Sequence, residues 1–305
     1  MHPAFSIIVF TTLSGFGYGL AAVLGLGLLG PEYWATKVLH VLALAMISGG
    51  LLSSTLHLGN PQRAWRAFSQ WRSSWLSREG VMAILTFIPL CISAWLCLFE
   101  DTYSPTVGLV GAAGCIVTVF CTAMIYASLK SIDAWHTWLT PLCYLLFAAT
   151  GGALLAGIGT LLRFYASSIE LTLPAMALLV AAWLSKIVWW RRLRSMAPTS
   201  TPESATGLGA IGRVRLFERP HVNDNYLTHE MGYRIARKHA RKLSRLAVLY
   251  GGVVPLILLT LMLVTGSGAP ILFFQLGALL LFGVGVAIER WLFFAEARHA
   301  VMNYY

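Results

Sequence analysis

The chain has 305 residues, of which 57% are hydrophobic and only 11% charged, yet 22 Lys and Arg stand against 12 Asp and Glu for a formal net charge of +10. A soluble domain carries about 25% charged residues, so this sequence cannot cover itself with polar groups in water, and it is far too apolar to be a disordered segment. The class that remains is an all-α integral membrane protein.

A bilayer core of about 30 Å takes about 20 mostly apolar residues per helical span. Such runs are predicted at 4–29, 34–57, 80–99, 105–129, 141–162, 171–190, 246–265 and 270–290, eight in all. The first starts almost at Met1, with no basic region before it and no small-residue cleavage site, so it reads as a retained span and not a signal peptide. Barrel strands would be about ten residues of strict alternation, which these runs are not. The organisation that follows is spans one to six in 1–190, a basic segment at 191–245, and spans seven and eight with a short tail in 246–305.

An even number of spans puts both termini on one face, here named side A. Every Lys and Arg except Lys37 and Arg163 falls in side A segments or at the adjoining helix ends. The short loops agree: 58–79 carries four Arg, whereas 100–104 carries two acids and no base. The positive-inside rule therefore makes side A cytoplasmic. Glycine is dense in two spans, at Gly15, Gly17, Gly19, Gly25 and Gly27 and again at Gly151, Gly152, Gly157 and Gly159. Small residues let helices approach closely in lipid. The runs starting at Phe10 and Phe147 are loosely alike, as two related four-helix halves would be.

Cys91, Cys97, Cys115, Cys121 and Cys143 all fall within spans or at a span end, with no Cys-x-x-Cys and no zinc spacing to a histidine. They read as packing residues, and the sequence offers no iron–sulfur site of its own. A di-haem cytochrome needs histidines on facing helices. Only His40 and His57 lie within spans, both on the second, and a rise of 1.5 Å per residue puts them about 25 Å apart along one axis. A secondary transporter would place ionisable groups near the midplane. The span centres are nearly free of charge, with His40 the nearest exception.

The chemistry concentrates where span two leaves and span three enters, through His57-Leu-Gly-Asn-Pro-Gln-Arg63-Ala-Trp65-Arg66 to Trp71-Arg72 and Ser77-Arg78-Glu79. Each group has a plain structural explanation: His57 at a helix C-terminus, Glu79 in the first turn of the next helix, the arginines and tryptophans as interfacial anchors. Together they say more. His57 and Glu79 meet one membrane face on consecutive antiparallel helices. Histidine titrates near neutrality, and burial tunes a carboxylate toward the same range. A quinone head group needs such proton-exchanging partners at its carbonyls, so the pair reads as a proton-coupled quinone site.

His57-Leu-Gly-x-Pro-x-Arg63-Ala with Ser77-x-Glu79, and Ser131-Ile-x-x-Trp135-x-x-x-x-Thr140-Pro141, resemble the membrane anchor subunit of the dimethyl sulfoxide reductase family of molybdoenzymes. The opening Met-His-Pro-Ala-Phe-Ser and the stretch from Glu230-Met-Gly to Ala236-Arg-Lys-His-Ala are similar to a branch containing the membrane subunit of cytoplasmic-facing sulfite dehydrogenases. The resemblance spans the whole sequence. It implies an anchor for a molybdopterin catalytic subunit and an iron–sulfur subunit, exchanging electrons with ubiquinone or menaquinone without haem in this chain. It implies quinone-site roles for His57 and Glu79, with Arg63, Trp71, Tyr126 and Trp135 as head-group or wall residues, and His136 as a further relay candidate. The implied reaction is sulfite oxidation with quinone reduction; the alternative is an S- or N-oxide reductase anchor oxidising quinol.

Glu230 to Arg245 sets Met231, Tyr233, Ile235, Ala236 and Leu243 among Arg234, Arg237, Lys238, Arg241 and Lys242, an amphipathic basic helix running into span seven. Two readings stand side by side. Basic residues near the surface each gain about 1 kcal/mol from anionic lipid, and the same charge suits docking of the iron–sulfur subunit, with Arg66 and Arg72 as further docking candidates. Topology already accounts for the basic excess, so nucleic acid is not indicated.

Overall fold

The computed structural model describes residues 4–55, 60–164, 169–197, 200–215, 217–218 and 235–303. Among these residues there is no strand, and eight helical stretches are long and apolar enough to cross a membrane. They comprise α1 (Phe5–Gly25), α2 (Trp34–Thr55), α3 (Trp75–Glu100), α4 (Pro105–Ala127), α5 (Leu139–Phe164) and α6 (Ile169–Ser195). After the basic segment come α7 (Ile235–Val248), a π turn at Leu249–Val253, α8 (Val254–Thr265) and α9 (Ala269–Ala295). The span 239–265 runs from α7 through the π turn into α8. In hydrocarbon every backbone N–H and C=O needs an internal partner, and helices supply it. The protein is an all-α multi-pass membrane protein.

α1 is the central helix, packed against α2, α4, α5 and α9. The two glycine-rich stretches meet each other: Gly19 of α1 lies against Ala148 and Gly152 of α5, so closely that a Cβ on Gly19 would collide with the Ala148 carbonyl. The same logic operates at the π turn. Gly251 lies against Gly285 of α9, and its carbonyl accepts from Trp183 Nε1 of α6 at 2.7 Å. Three helices are thereby tied together where one of them changes pitch.

Several helix ends run beyond the apolar runs, and two consequences bear on the site. α3 begins at Trp75 and not at residue 80. A 3₁₀ helix over Pro61–Gln70 folds onto its start, where the Ser77 hydroxyl donates to the Ala67 carbonyl and the Phe68 ring covers Gly80. Glu79 therefore sits about 6 Å along α3, inside the helix and not in its first turn. α6 and α9 extend to Ser195 and Ala295, which carries Lys186, Glu289 and Arg290 into the bundle.

Candidate functional site

Glu79 is 5% exposed, and its Oε1 accepts a hydrogen bond from Thr122 Oγ1 of α4 at 2.6 Å. The Thr122 hydroxyl also lies 3.1 Å from the carbonyl of Thr118, one turn away. No ion pair to Glu79 exists among the described residues. A buried carboxyl whose one hydrogen-bond donor among the described residues is neutral is costly to keep charged, so its place in the bundle suits proton exchange over a permanent charge. His57, its expected partner, lies outside the described residues.

Tyr126 follows Thr122 by one turn on the same face of α4. Its ring meets Trp135 edge-on at 5.2 Å, stacks with Tyr144 at 6.0 Å, and touches Phe293 and Phe294 of α9. Trp135 is 2% exposed; its ring stacks on Phe293 at 5.3 Å, and its Nε1 donates to the Phe293 carbonyl at 2.8 Å. The Ser131–Pro141 motif thus joins the α4–α5 loop to the end of α9. Thr140 Oγ1 donates to the Trp135 carbonyl at 2.8 Å, and the Ala300 N–H donates to the Ser131 carbonyl at 2.8 Å. His136 is turned outward, donating from Nδ1 to the Ala127 carbonyl at 2.7 Å. Glu79, Tyr126 and Trp135 are brought onto one continuous line.

The remaining expected site residues occupy the loop above α3. Arg63 is exposed, and Trp71 is 53% exposed. Arg78 pins the loop by donating from Nε to the Trp71 carbonyl at 3.0 Å and from its terminal nitrogen to the Arg72 carbonyl at 2.7 Å. Arg66 and Arg72 are exposed, each over its neighbouring tryptophan ring, at 5.5 Å from Trp65 and 5.4 Å from Trp71. Arg241 is exposed on α7. Arg234 lies outside the described residues, as do the side chains of Arg237 and Lys238.

One group of buried charges corrects the sequence reading. Lys186 and Arg290, counted above among the side A cations, are interior: Lys186 Nζ lies 2.6 Å from Glu289 Oε1, and Arg290 Nε lies 3.1 Å from Glu289 Oε2. All three side chains are at most 2% exposed. Lys186 also sits over the Trp189 ring at 3.5 Å, and Arg290 over the Tyr144 ring at 3.7 Å. The signal was present in the pattern. Lys186 falls in register with Ala175, Leu179, Ala182, Trp183 and Trp190, and Glu289 with Ala278, Phe282, Gly285 and Phe293, the buried faces of their helices. Among the described residues no group of three or more His, Cys, Asp or Glu side chains converges as metal ligands would.

The family model of the DMSO reductase anchor subunit (DmsC) matches residues 1–295. The protein belongs to this family. This membrane anchor is 31% identical to the C subunit of sulfite dehydrogenase from Allochromatium vinosum over 336 aligned positions, covering 100% of the anchor and 99% of that protein. It is 28% identical to the C component of the anaerobic dimethyl sulfoxide reductase of Escherichia coli over 158 positions, covering 49% of the anchor and 55% of that protein. No solved structure matches it.

Proposed function

We propose that this anchor is the quinone-reactive subunit of a heterotrimeric molybdopterin and iron–sulfur oxidoreductase, working in sulfite oxidation. The observation that carries the reading is Glu79: a carboxyl one turn inside α3, buried, and hydrogen-bonded to the Thr122 hydroxyl of α4. The full-length likeness to a sulfite dehydrogenase subunit supports the substrate of the complex. In this reading a quinone takes two electrons from the iron–sulfur partner and two protons from side A water, and leaves as quinol. Glu79 and His57 hold those protons at the two carbonyl ends, while Tyr126 and Trp135 supply rigid aromatic packing behind Glu79. Arg63 and Trp71 stand at the entrance. A buried acid and an imidazole near neutral pKa are the group types that pass protons without storing charge in hydrocarbon.

The exposed arginines of the 3₁₀ loop and Arg241 of α7 form the docking face for the iron–sulfur subunit, on the cytoplasmic side together with both termini. The likeness to a dimethyl sulfoxide reductase component supports a second reading, in which the same groups serve quinol oxidation and S- or N-oxide reduction. Identifying the substrate of the co-purified catalytic subunit decides between them. The site itself is tested in the intact complex. Glu79→Gln and His57→Ala are expected to lower quinone-linked turnover by about 10²-fold or more, the scale of a lost general acid–base group, with dye-linked turnover of the catalytic subunit kept. Quinone-linked turnover equal to the native complex in both variants refutes the assignment.

A further inference from the structure

Thr122, which holds the Glu79 carboxyl, also borders a cavity of about 10 Å³ inside the bundle. α1, α4, α5 and α9 line it, and half of its lining residues are polar: Thr11, Ser14, Tyr18, Thr122, Tyr144 and Arg290. Thr11 and Ser14 already donate to carbonyls of their own helix, which leaves their oxygens as acceptors. The hydroxyls of Tyr18 and Tyr144 are fully buried and have no hydrogen-bond partner among the described residues. Buried hydroxyls are almost always paired, and a site on the scale of one water, with several polar partners, is where a buried water belongs.

We propose that this cavity holds a water molecule that links the Arg290 guanidinium to Glu79 through the Thr122 hydroxyl, with Tyr18 and Tyr144 positioning it; the proposal rests on the reading of Glu79 as the proton-exchanging acid of the quinone site. Water has two protons and two lone pairs, and the cavity matches all four. The water accepts from Arg290 and from one tyrosine hydroxyl, and donates to the oxygen of the other tyrosine and to that of Thr122. A guanidinium has donors only, so the direction of the chain is fixed at its Arg290 end.

The Thr122 hydroxyl has one proton and two acceptors in reach, Glu79 Oε1 at 2.6 Å and the Thr118 carbonyl at 3.1 Å. While Glu79 is ionised, Thr122 donates to it and accepts from the water. A run of donors then leads from a permanent cation to the carboxylate, each bond polarising the next. When Glu79 takes up a proton, its O–H donates to Thr122, whose own proton turns to Thr118. The only covalent bond made or broken is the carboxyl O–H, and its proton is the one exchanged at the quinone site. The titratable groups around Glu79 among the described residues include Tyr18 of α1, Cys121 and Tyr126 of α4 and Tyr144 of α5, all uncharged near neutral pH. Arg78, its neighbour on α3, directs its guanidinium to the Trp71 and Arg72 carbonyls. Arg290 shares the Glu289 carboxylate with Lys186, and Glu296 acts on the Lys186 end of that cluster. The Arg290 end is the one that meets the cavity.

The test uses the intact complex. Cryo-electron microscopy at a resolution that shows ordered water should place one water within hydrogen-bond distance of Thr122, Arg290 and a tyrosine hydroxyl; an empty cavity overturns the proposal. Infrared titration reads the C=O stretch of the Glu79 carboxyl, assigned by its loss in Glu79→Gln. Tyr18→Phe combined with Tyr144→Phe removes both anchors of the water and should move the midpoint of that band to higher pH by about one unit, the effect of one hydrogen bond. Tyr103→Phe removes the bond to the Gly25 carbonyl, seven residues further along α1, and should leave the midpoint in place. A midpoint unmoved in the double variant, or moved equally by Tyr103→Phe, overturns the link. In H₂¹⁸O the native difference spectrum should show one displaced water O–H band, and its absence overturns the proposal whether or not the variants assemble. Quinone-linked turnover unchanged by Glu79→Gln removes the quinone reading instead, and the infrared titration still decides the water link.

Discussion

Replacing Glu289 by Leu should destabilise the anchor more than any surface substitution. Among the described residues Glu289 is the only carboxylate bonded to both Lys186 and Arg290, at 2.6 Å and 3.1 Å, and all three are sealed from solvent. At an effective dielectric near 20, unit charges about 4 Å apart attract by about 4 kcal/mol. Desolvation offsets much of that gain while the cluster is whole, but removing one partner strands the others, at about 3–5 kcal/mol. Glu289→Leu leaves two buried cations, so the upper end of that range is expected. Lys186→Met leaves the Glu289–Arg290 ion pair intact and should cost less than Glu289→Leu. The triple change Lys186→Met, Glu289→Leu, Arg290→Met replaces the cluster by apolar groups and should lose less than Glu289→Leu alone. Unfolding in mixed micelles, followed by tryptophan fluorescence, measures each. A loss below about 1 kcal/mol for Glu289→Leu, or a triple variant that loses the sum of its singles, refutes the account.

Thr122→Val removes the hydrogen bond that the Thr122 hydroxyl donates to the Glu79 carboxyl; it should cost about 1–3 kcal/mol and alter the pH profile of quinone-linked turnover, and an unchanged profile would detach Thr122 from the site. Gly19→Val forces α1 away from Ala148 and Gly152; the overpacked crossing should cost about 1–3 kcal/mol, read as a lower melting temperature of the purified anchor. Glu296 lies just beyond α9, and burial holds its carboxyl above the ordinary value of 4.5 against the opposing pull of Lys186 and the Trp190 Nε1–H bond. The folded protein then binds that proton more tightly than the unfolded one. Its contribution is full below pH 4.5 and is lost as pH rises through the raised value. Glu296→Gln should flatten the stability profile over that window, and superimposable profiles would show that burial does not govern this group.

What could be read from the sequence alone divides along a physical line. Spans were legible because hydrocarbon enforces long apolar runs, and the errors lay at ends such as Trp75, where a 3₁₀ loop and not hydropathy sets the first turn. Glu79, Tyr126 and Trp135 were legible because a motif marks them, and the fold adds that they form one line. Lys186 and Arg290 were misread because hydropathy treats a cation near a helix end as a surface charge. Helical register carries the opposite message, and it outweighs proximity to the end: a lone acid on the buried face of an apolar helix demands a buried cation. Tyr18 escaped notice for a different reason. A tyrosine in an apolar span is ordinary, and its meaning depends on α4, α5 and α9 converging on it from distant parts of the sequence. Only the assembled bundle joins Glu79 through Thr122 to a small cavity bounded by Tyr18, Tyr144 and Arg290. The same packing that makes glycine necessary at residue 19 buries Tyr18, one residue earlier, at the edge of that cavity.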